Sequence, residues 1–271
     1  MQDILERTIY RHGWDTRCRN WVPAQILRRL LKNLPSQSEP ILLDVGCGRI
    51  GMAAFLNGAK VVGVDVEPPL EQIENFSFQP GTITDLQFPD KSFPVVSCID
   101  VLEHLPLEAR DRAIDELVRV ASRAVLVACP HGENGQACDA EFQCALQDRG
   151  RPVPEWVTEH QRQQYPTAAK VAERLREAAA ASGRKVKITL SYSEPVRACR
   201  FVRGAAARSD ALYLAANLLL GLLLPLVPEP KFENSYRMVM LAELSPDDEV
   251  DASSTKLPPA QSKHEDGDAF A

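Results

Sequence analysis

The first stretch with chemical meaning is a glycine-rich turn that follows an apolar run. The run Ile41–Val45 leads into GCGRIG at residues 46–51, which has the G-x-G-x-x-G spacing. Glycines at such a turn allow unusual backbone torsions and let a ligand come close to the main chain. Where a strand precedes the turn, this is the place at which dinucleotide and other adenosyl ligands bind. The spacing predicts a ligand of that kind and does not distinguish NAD from another adenosyl cofactor.

Two aspartates lie where they can contact such a ligand. Asp44 precedes Gly46 by two residues, and Asp65 ends the next apolar run. A carboxylate at the position of Asp65 can accept hydrogen bonds from ribose hydroxyls. A carboxylate at Asp44 would repel the pyrophosphate of NAD in a low-dielectric crevice, but it would attract the ammonium and sulfonium groups of S-adenosylmethionine (SAM). Asp44 therefore favours SAM.

Two histidines follow later apolar runs and are candidates for acid–base chemistry. His104 follows Glu103 in VLEHL, and His131 lies in ACPHGENG. Either could contact a methyl acceptor, or take a proton from one that must lose it. The alternative for His104 is that it caps and orients the next helix together with Glu103. The alternative for His131 is a turn histidine that is satisfied by Asn134 or by the backbone.

Metal and disulfide chemistry find little support in the residue spacing. Glu159 and His160 are metal-ligand types in a polar segment at residues 151–166, but no paired ligand spacing accompanies them. We therefore expect no metal site. The seven cysteines are irregularly spaced and include no C-x-x-C. They are expected to be reduced, structural thiols in a reducing cytoplasm.

The pattern of apolar residues predicts the elements that position these side chains. Helices are expected over Trp21–Leu34 and Leu107–Ala121, where apolar residues recur at helical spacing. Strands that are apolar on both faces and alternate with helices indicate a parallel sheet covered on both sides. The predicted strands are Ile41–Val45, Lys60–Val66, Phe76–Gln79, Val95–Val101, Ala124–Cys129, Val186–Tyr192 and Tyr236–Leu244.

Four successive motifs give the chain a resemblance to a known family. LLDVGCG, VVGVDVE, DLQFPDKSFPVV and VLEHL resemble the motifs of class I SAM-dependent methyltransferases of the small-molecule, type 11-like kind. The resemblance is detailed over residues 36–130 and looser to about residue 244. It implies an α/β fold with a Rossmann-like, doubly wound, seven-stranded sheet, mostly parallel with an antiparallel last strand. It also implies SAM as the methyl donor.

The resemblance implies cofactor-binding residues at the ends of the first four strands, namely Asp44, Gly46, Cys47, Gly48, Asp65, Val66, Thr82, Ile83 and Asp100. The first turn would hold the methionine part of SAM, and Asp65 would hold the ribose. Val66 would flank the adenine ring, and the turn with Thr82 and Ile83 would meet its amino group. Asp100 would line the crevice after the fourth strand. Thr82 and Pro94 depart from the family pattern, which usually has acidic residues there.

Composition divides the chain into three parts. Residues 1–40 form a basic, helical region, and residues 41–244 form the SAM-binding domain with an apolar insertion at about 205–230. Residues 245–271 are acidic and rich in Pro and Ser, so we expect a disordered tail. The net charge of −6 argues against a nucleic-acid partner.

The apolar stretch ALYLAANLLLGLLLPLVP, residues 211–228, carries no charge and has almost the length of a membrane span. A single crossing would separate the last two predicted strands, which must pair in one sheet. The stretch is therefore a core helix, an element at a membrane surface, or a cover over an apolar substrate. Four arginines before it, Arg197, Arg200, Arg203 and Arg208, suit an anionic leaflet or a lipid head group, or are simply solvated.

The sequence therefore predicts a SAM-dependent methyltransferase with a small-molecule acceptor, and it favours a lipid-linked or glycan-type acceptor. We expect a cytoplasmic protein, with peripheral contact to an anionic membrane as an open alternative. An NAD(P)-dependent oxidoreductase is a second interpretation. A catalytically silent SAM-fold scaffold at a membrane surface is a third. The sequence leaves the oligomeric state open.

Overall fold

A mixed seven-stranded sheet forms the centre of the computed structural model, which describes residues 14–34, 41–48, 51–56, 58–69, 74–223 and 234–246. Its strands are β1 Ile41–Val45, β2 Lys60–Asp65, β3 Phe76–Pro80, β4 Phe93–Ile99, β5 Ala121–Pro130, β6 Arg184–Pro195 and β7 Ser235–Pro246. The order across the sheet is β3-β2-β1-β4-β5-β7-β6. β7 runs antiparallel to both β5 and β6, whereas β1 to β5 pair in parallel. The predicted fold class is confirmed.

Seven α-helices accompany the sheet within the described ranges: α1 Trp14–Lys32, α2 Leu107–Val120, α3 Gly132–Gln147, α4 Glu155–Arg162, α5 Ala168–Ala181, α6 Val196–Arg208 and α7 Asp210–Leu223. Leu43 of β1 belongs to a buried cluster with α2 and α5. Its neighbour Leu42 belongs to a second cluster with α1 on the opposite face. Because successive strand residues face opposite sides, burial of both faces requires the uninterrupted apolar runs of the central strands.

Two predicted boundaries shift for identifiable reasons. β4 ends at Ile99 and not at Val101, because Asp100 adopts a left-handed backbone with φ of 54° and ends the extended run. Helix α1 begins at Trp14, seven residues before the predicted start. Trp14 is fully buried in a cluster with residues of α6 and α7. Tertiary packing thus extends the helix beyond the apolar pattern, and Pro23 lies inside it.

The last two helices connect β6 to β7. Since β6 and β7 are antiparallel neighbours, the connection must leave and return at the same end of the sheet. Helix α7 packs against α1, and the Arg17 guanidinium of α1 donates to the Gly221 carbonyl at 2.6 Å. No helix among the described residues has the length and apolar character needed to cross a bilayer. Residues 224–228 of the predicted apolar stretch and residues 247–271 of the predicted tail lie outside the described ranges.

Candidate functional site

The glycine-rich turn after β1 has the backbone that the sequence predicts. Gly46, Gly48 and Gly51 have φ values of 70°, 57° and 65°. A Cβ atom at Gly46 would lie 2.1 Å from a methyl group of Val101, so only glycine fits this position without rearrangement. The turn thereby brings the chain after β1 into contact with the chain after β4. Arg49 and Ile50 lie outside the described residues.

The Asp44 carboxylate stabilises this turn through two buried hydrogen bonds. One carboxylate oxygen accepts the Met52 backbone N–H at 2.7 Å, and the other accepts the Ser97 hydroxyl at 2.7 Å. Burial raises the pKa of Asp44, against the lowering effect of these two hydrogen bonds. Both carboxylate oxygens of Asp44 already accept hydrogen bonds from the protein. The structure therefore gives this side chain a role in stabilising the turn. Contact with the methionine part of SAM stays a prediction.

Asp65 lies at the rim of the same turn. Its carboxylate accepts backbone N–H groups of Gly48 at 2.8 Å and Glu67 at 3.2 Å. A carboxylate offers about four lone-pair positions, so further hydrogen bonds from a ligand remain available. The adjacent Val66 side chain is 77% exposed. This pairing of a fixed acceptor with an uncovered apolar side chain fits a ribose and the base attached to it.

The remaining predicted cofactor residues occupy different surroundings. Cys47 is buried, and the Thr82 hydroxyl shares a hydrogen bond of 3.2 Å with Thr84 on an exposed turn. The Ile83 side chain is buried in the core, which leaves only its backbone for a ligand. Asp100 forms ion pairs with Arg19 of α1, at 3.2 Å, and with Arg237 of β7. The structure thus brings Asp44, Asp65 and Asp100 to one end of the sheet.

A cavity of about 740 Å³ opens beyond Asp100, at the carboxyl ends of β4 and β5. Its wall includes aromatic side chains from four helices and from β7, namely Trp14, Phe142, Trp156, Tyr213 and Tyr236. Arg19, Arg151, Arg203 and Arg237 also line it, and each forms an ion pair with an aspartate. This volume and mixed lining suit a small organic ligand with polar groups.

One buried carboxylate organises the wall of this cavity. Asp139 of α3 is fully buried and accepts hydrogen bonds from His160 at 2.7 Å and from the Tyr165 hydroxyl at 2.5 Å. Its other oxygen accepts from the Tyr236 hydroxyl at 3.0 Å and pairs with Arg203. Burial alone raises the pKa of Asp139, but the His160 hydrogen bond and the Arg203 charge outweigh it and lower the pKa to about 2. The carboxylate is therefore ionised at neutral pH.

His104 lies in the cavity wall, as a residue that contacts an acceptor must. Its Nδ1 is 2.9 Å from a Glu159 carboxylate oxygen, and its Nε2 is 3.3 Å from Nε2 of His160. Burial and the neighbouring His160 lower the pKa of His104, against the effect of Glu159. The side chain thus contacts α4 and does not cap α2, which begins after Pro106.

His131 occupies a different environment from His104. It is 2% exposed, its Nε2 is 3.0 Å from the Ser235 hydroxyl, and its ring is 5.5 Å from that of Tyr192. It is not among the residues that line the cavity. Burial lowers the pKa of His131 to about 4, so the imidazole is neutral at pH 7. The geometry favours the structural alternative, and a catalytic role for His131 stays a prediction.

Sequence reasoning missed most of the cavity wall. Asp139 and Arg203 carry no motif, and they meet only because α3 packs against α6. The four arginines before the apolar stretch are not one basic surface, since Arg203 points inward and Arg200 pairs with Glu141. A charged residue within an otherwise apolar helix face was the signal available for Arg203.

Comparison with known proteins finds similarity to methyltransferases over part of the chain. The family model described as "Methyltransferase domain" matches residues 43–129, which run from β1 to β5. A curated relative in Schizosaccharomyces pombe (strain 972), the uncharacterized methyltransferase C1B3.06c, is 31% identical over 164 residues. The matched part covers 52% of this chain and 55% of the relative. The chain therefore spans about half the length of the curated relative that it matches.

Two solved methyltransferase structures are similar to this chain at low sequence identity. The CurJ carbon methyltransferase has a TM-score of 0.53 at 11% identity, over 87% of this chain and 56% of that chain. The magnesium protoporphyrin IX methyltransferase of Synechocystis PCC 6803, solved with bound SAH, has a TM-score of 0.49 at 15% identity, over 89% of this chain and 94% of that chain. At 11% identity, the similarity to the CurJ carbon methyltransferase shows a likeness of fold alone.

We predict that Asp139→Asn destabilises the protein by about 3–5 kcal/mol, because it leaves the buried Arg203 guanidinium without its counter-charge. Glu141→Gln is the matched control. It removes an ion pair between the same two helices, but both partners, Arg200 and Glu141, are about half exposed. Its cost should stay below about 1 kcal/mol. Urea denaturation at pH 7 measures the free energy of unfolding of both variants. If both lose the same small amount of stability, the role assigned to Asp139 is contradicted.

We also predict an acid-sensitive contribution from His131. Its pKa is about 4 in the folded chain against 6.5 when free, so the unfolded chain binds the proton more readily between these values. The stability from this group is complete above pH 6.5 and falls as the pH approaches 4. The loss amounts to about 3 kcal/mol. The free energy of unfolding of His131→Gln, taken relative to its own value at pH 7, should not show this loss as the pH falls. If it falls with pH as steeply as that of the parent, the prediction is refuted.

Proposed function

Residues 43–129 match the family model of a methyltransferase domain, and on this premise we propose that the chain is a class I SAM-dependent methyltransferase that transfers a methyl group from SAM to a small-molecule acceptor. The observation that carries the proposal is the position of the cavity next to the glycine-rich turn. Asp100 follows β4 and lines the cavity, and Val101 contacts Gly46 of the turn. A donor held at the turn and an acceptor in the cavity would therefore be neighbours.

The residues of the turn fit the methyl donor. SAM supplies a methyl group that is activated on a sulfonium sulfur. Gly46 and Gly48 let a ligand approach the main chain, and the Asp65 carboxylate has acceptor positions left for ribose hydroxyls. The uncovered Val66 side chain offers an apolar surface to the adenine ring. Asp44 adds negative charge behind the turn, which suits a cationic ligand better than a pyrophosphate.

The cavity would contribute to methyl transfer mainly by positioning the acceptor. Methyl transfer is an in-line displacement, so the acceptor atom must be held near the methyl group and in line with it. The aromatic wall and the arginine–aspartate pairs of the cavity can fix a small organic molecule by stacking and hydrogen bonding. His104 lies in this wall, whereas His131 does not. Of the two candidate histidines, the cavity lining therefore favours His104 as the one that would contact the acceptor.

A calorimetric titration with S-adenosylhomocysteine (SAH) tests the proposed donor. We expect binding in the micromolar range for the parent, and a loss of at least about tenfold for Asp65→Ala, because the ribose hydroxyls lose a charged acceptor. Asp111→Ala, at an exposed position of α2, is the control and should bind like the parent. NAD serves as the competing ligand. Binding of NAD in place of SAH would instead support an oxidoreductase, and absence of both would support the silent scaffold.

Exposed apolar side chains favour a finer proposal, contact with a membrane surface that would suit a lipid-linked acceptor. Leu212, Leu219, Leu222 and Leu223 of α7 are 40–76% exposed, and Phe201 of α6 is 57% exposed. Such clusters on a protein surface mark interaction sites. Because Arg203 points inward and Arg200 is paired, the binding would depend on apolar insertion more than on charge.

Vesicle flotation tests this membrane contact. We expect the parent to float with anionic vesicles and the double variant Leu219→Ser, Leu222→Ser to bind at least about tenfold more weakly, because it loses two inserting side chains. Leu107→Ser is the control, since this leucine is 49% exposed on α2. A parent that stays at the bottom of the gradient rules out the membrane proposal.

A further inference from the structure

Three side chains with metal-binding atoms converge in the cavity wall. Glu103 and His104 lie on the short turn after β4, and His160 lies on α4. One donor atom from each lies within 4.8 Å of the other two. All three residues line the cavity. Two imidazoles and a carboxylate are a ligand set that divalent transition metals bind in proteins.

The two histidine rings pack edge to face and bring their Nε2 atoms close together. Nδ1 of His104 contacts the Glu159 carboxylate, and Nδ1 of His160 contacts the Asp139 carboxylate. A carboxylate only accepts, so each Nδ1 carries the hydrogen. Nε2 of each ring is then the nitrogen left to bind another group, and the two Nε2 atoms lie 3.3 Å apart. A cation bound to both would engage the two rings through these atoms.

The distance and the outer contacts match a metal centre. Two nitrogens bound at about 2.0–2.1 Å to a tetrahedral ion lie about 3.3–3.4 Å apart. The observed separation of the Nε2 atoms is 3.3 Å. Histidine ligands in metal sites commonly donate their second N–H to a carboxylate, which fixes the tautomer and the ring orientation. Glu159 and Asp139 hold His104 and His160 in that manner.

Glu103 supplies a second, independent observation. Its side chain is 1% exposed, and neither carboxylate oxygen has a hydrogen-bond partner among the described residues. Burying a carboxylate without a partner is costly. The nearby Asp100 cannot compensate, because it is itself an acid and already pairs with Arg19 and Arg237. A bound cation would satisfy the Glu103 carboxylate.

We propose that Glu103, His104 and His160 bind one divalent transition-metal ion, of the Zn²⁺ class, with an open coordination position that faces the cavity. This replaces the expectation of no metal that the residue spacing gave. An ion at this position would bind an oxygen atom of the acceptor and lower the pKa of a bound hydroxyl, whose proton would pass to solvent. That role rests on the proposed methyl transfer, whereas the metal site itself does not.

Cobalt titration of the full chain tests the site with a spectroscopic readout. The probe is Co²⁺, added to a Cys144→Ser background because Cys144 is the exposed thiol. We expect one equivalent to bind, with visible absorption from imidazole and carboxylate ligands and no thiolate charge-transfer band. His104→Gln and Glu103→Gln should each weaken binding at least about tenfold, and Glu159→Gln, which changes only an outer contact, by about 10–100-fold. Glu133→Gln, at an exposed acid outside the site, should have no effect.

Folding of every variant is monitored by circular dichroism, and SAH binding is measured separately by calorimetry. The decisive variant is His104→Gln. His104 is half-buried and pairs with Glu159, whereas His160 also pairs with the buried Asp139 carboxylate. The proposal is overturned if the folded parent binds no Co²⁺, or if His104→Gln binds it as the parent does. SAH binding without Co²⁺ binding would refute the metal site and leave the proposed methyltransferase intact. Co²⁺ binding without SAH binding would support the metal site and refute the proposed methyltransferase.

Discussion

Neutralisation of the Asp139 carboxylate is the constraint on which the candidate site depends. A fully buried charge is stable only when donors surround it, and this carboxylate on α3 receives donors from α4, α6, β7 and the loop before α5. A shift of any of these elements removes a donor from the buried charge. The wall of the cavity is therefore fixed by electrostatics, while aromatic packing fills the space between. Arg203 contributes to both, since its guanidinium also lies 4.4 Å from the Tyr236 ring centre.

The same charge network includes part of the region between β6 and β7. Its first helix, α6, carries Arg203 and so takes part in the charge network around Asp139. Its second helix, α7, packs against α1 and α6 but leaves several leucines exposed. The N-terminal helix takes part in the same arrangement, because Trp14 and Arg19 reach the cavity. Segments at both ends of the sequence thus complete a site whose base is the central sheet.

The sequence was informative where a local pattern carries the structure. The seven strands, the glycine-rich turn and the rim position of Asp65 follow from apolar runs and from torsions that only glycine adopts easily. The cavity wall was not predictable in that way. His104 and His160 lie on different elements, and Asp139 meets Arg203 only through packing of α3 on α6. Contacts between residues distant in the chain leave no periodicity. A position after a strand is also not enough to define the cavity wall, since His131 follows β5 but is buried and does not line the cavity.

The antiparallel pairing of β6 with β7 has a consequence for how this protein can change. Two such strands need only a short turn between them, so the helical connection is not required to form the sheet. Loop-closure entropy rises only with the logarithm of length, so connections of very different size are tolerated there. The glycine-rich turn after β1 and the cover over the cavity can then diverge at separate rates. A descendant with a differently lined cavity could arise by replacing residues of α6 and α7 alone, provided that the cation at position 203 is kept.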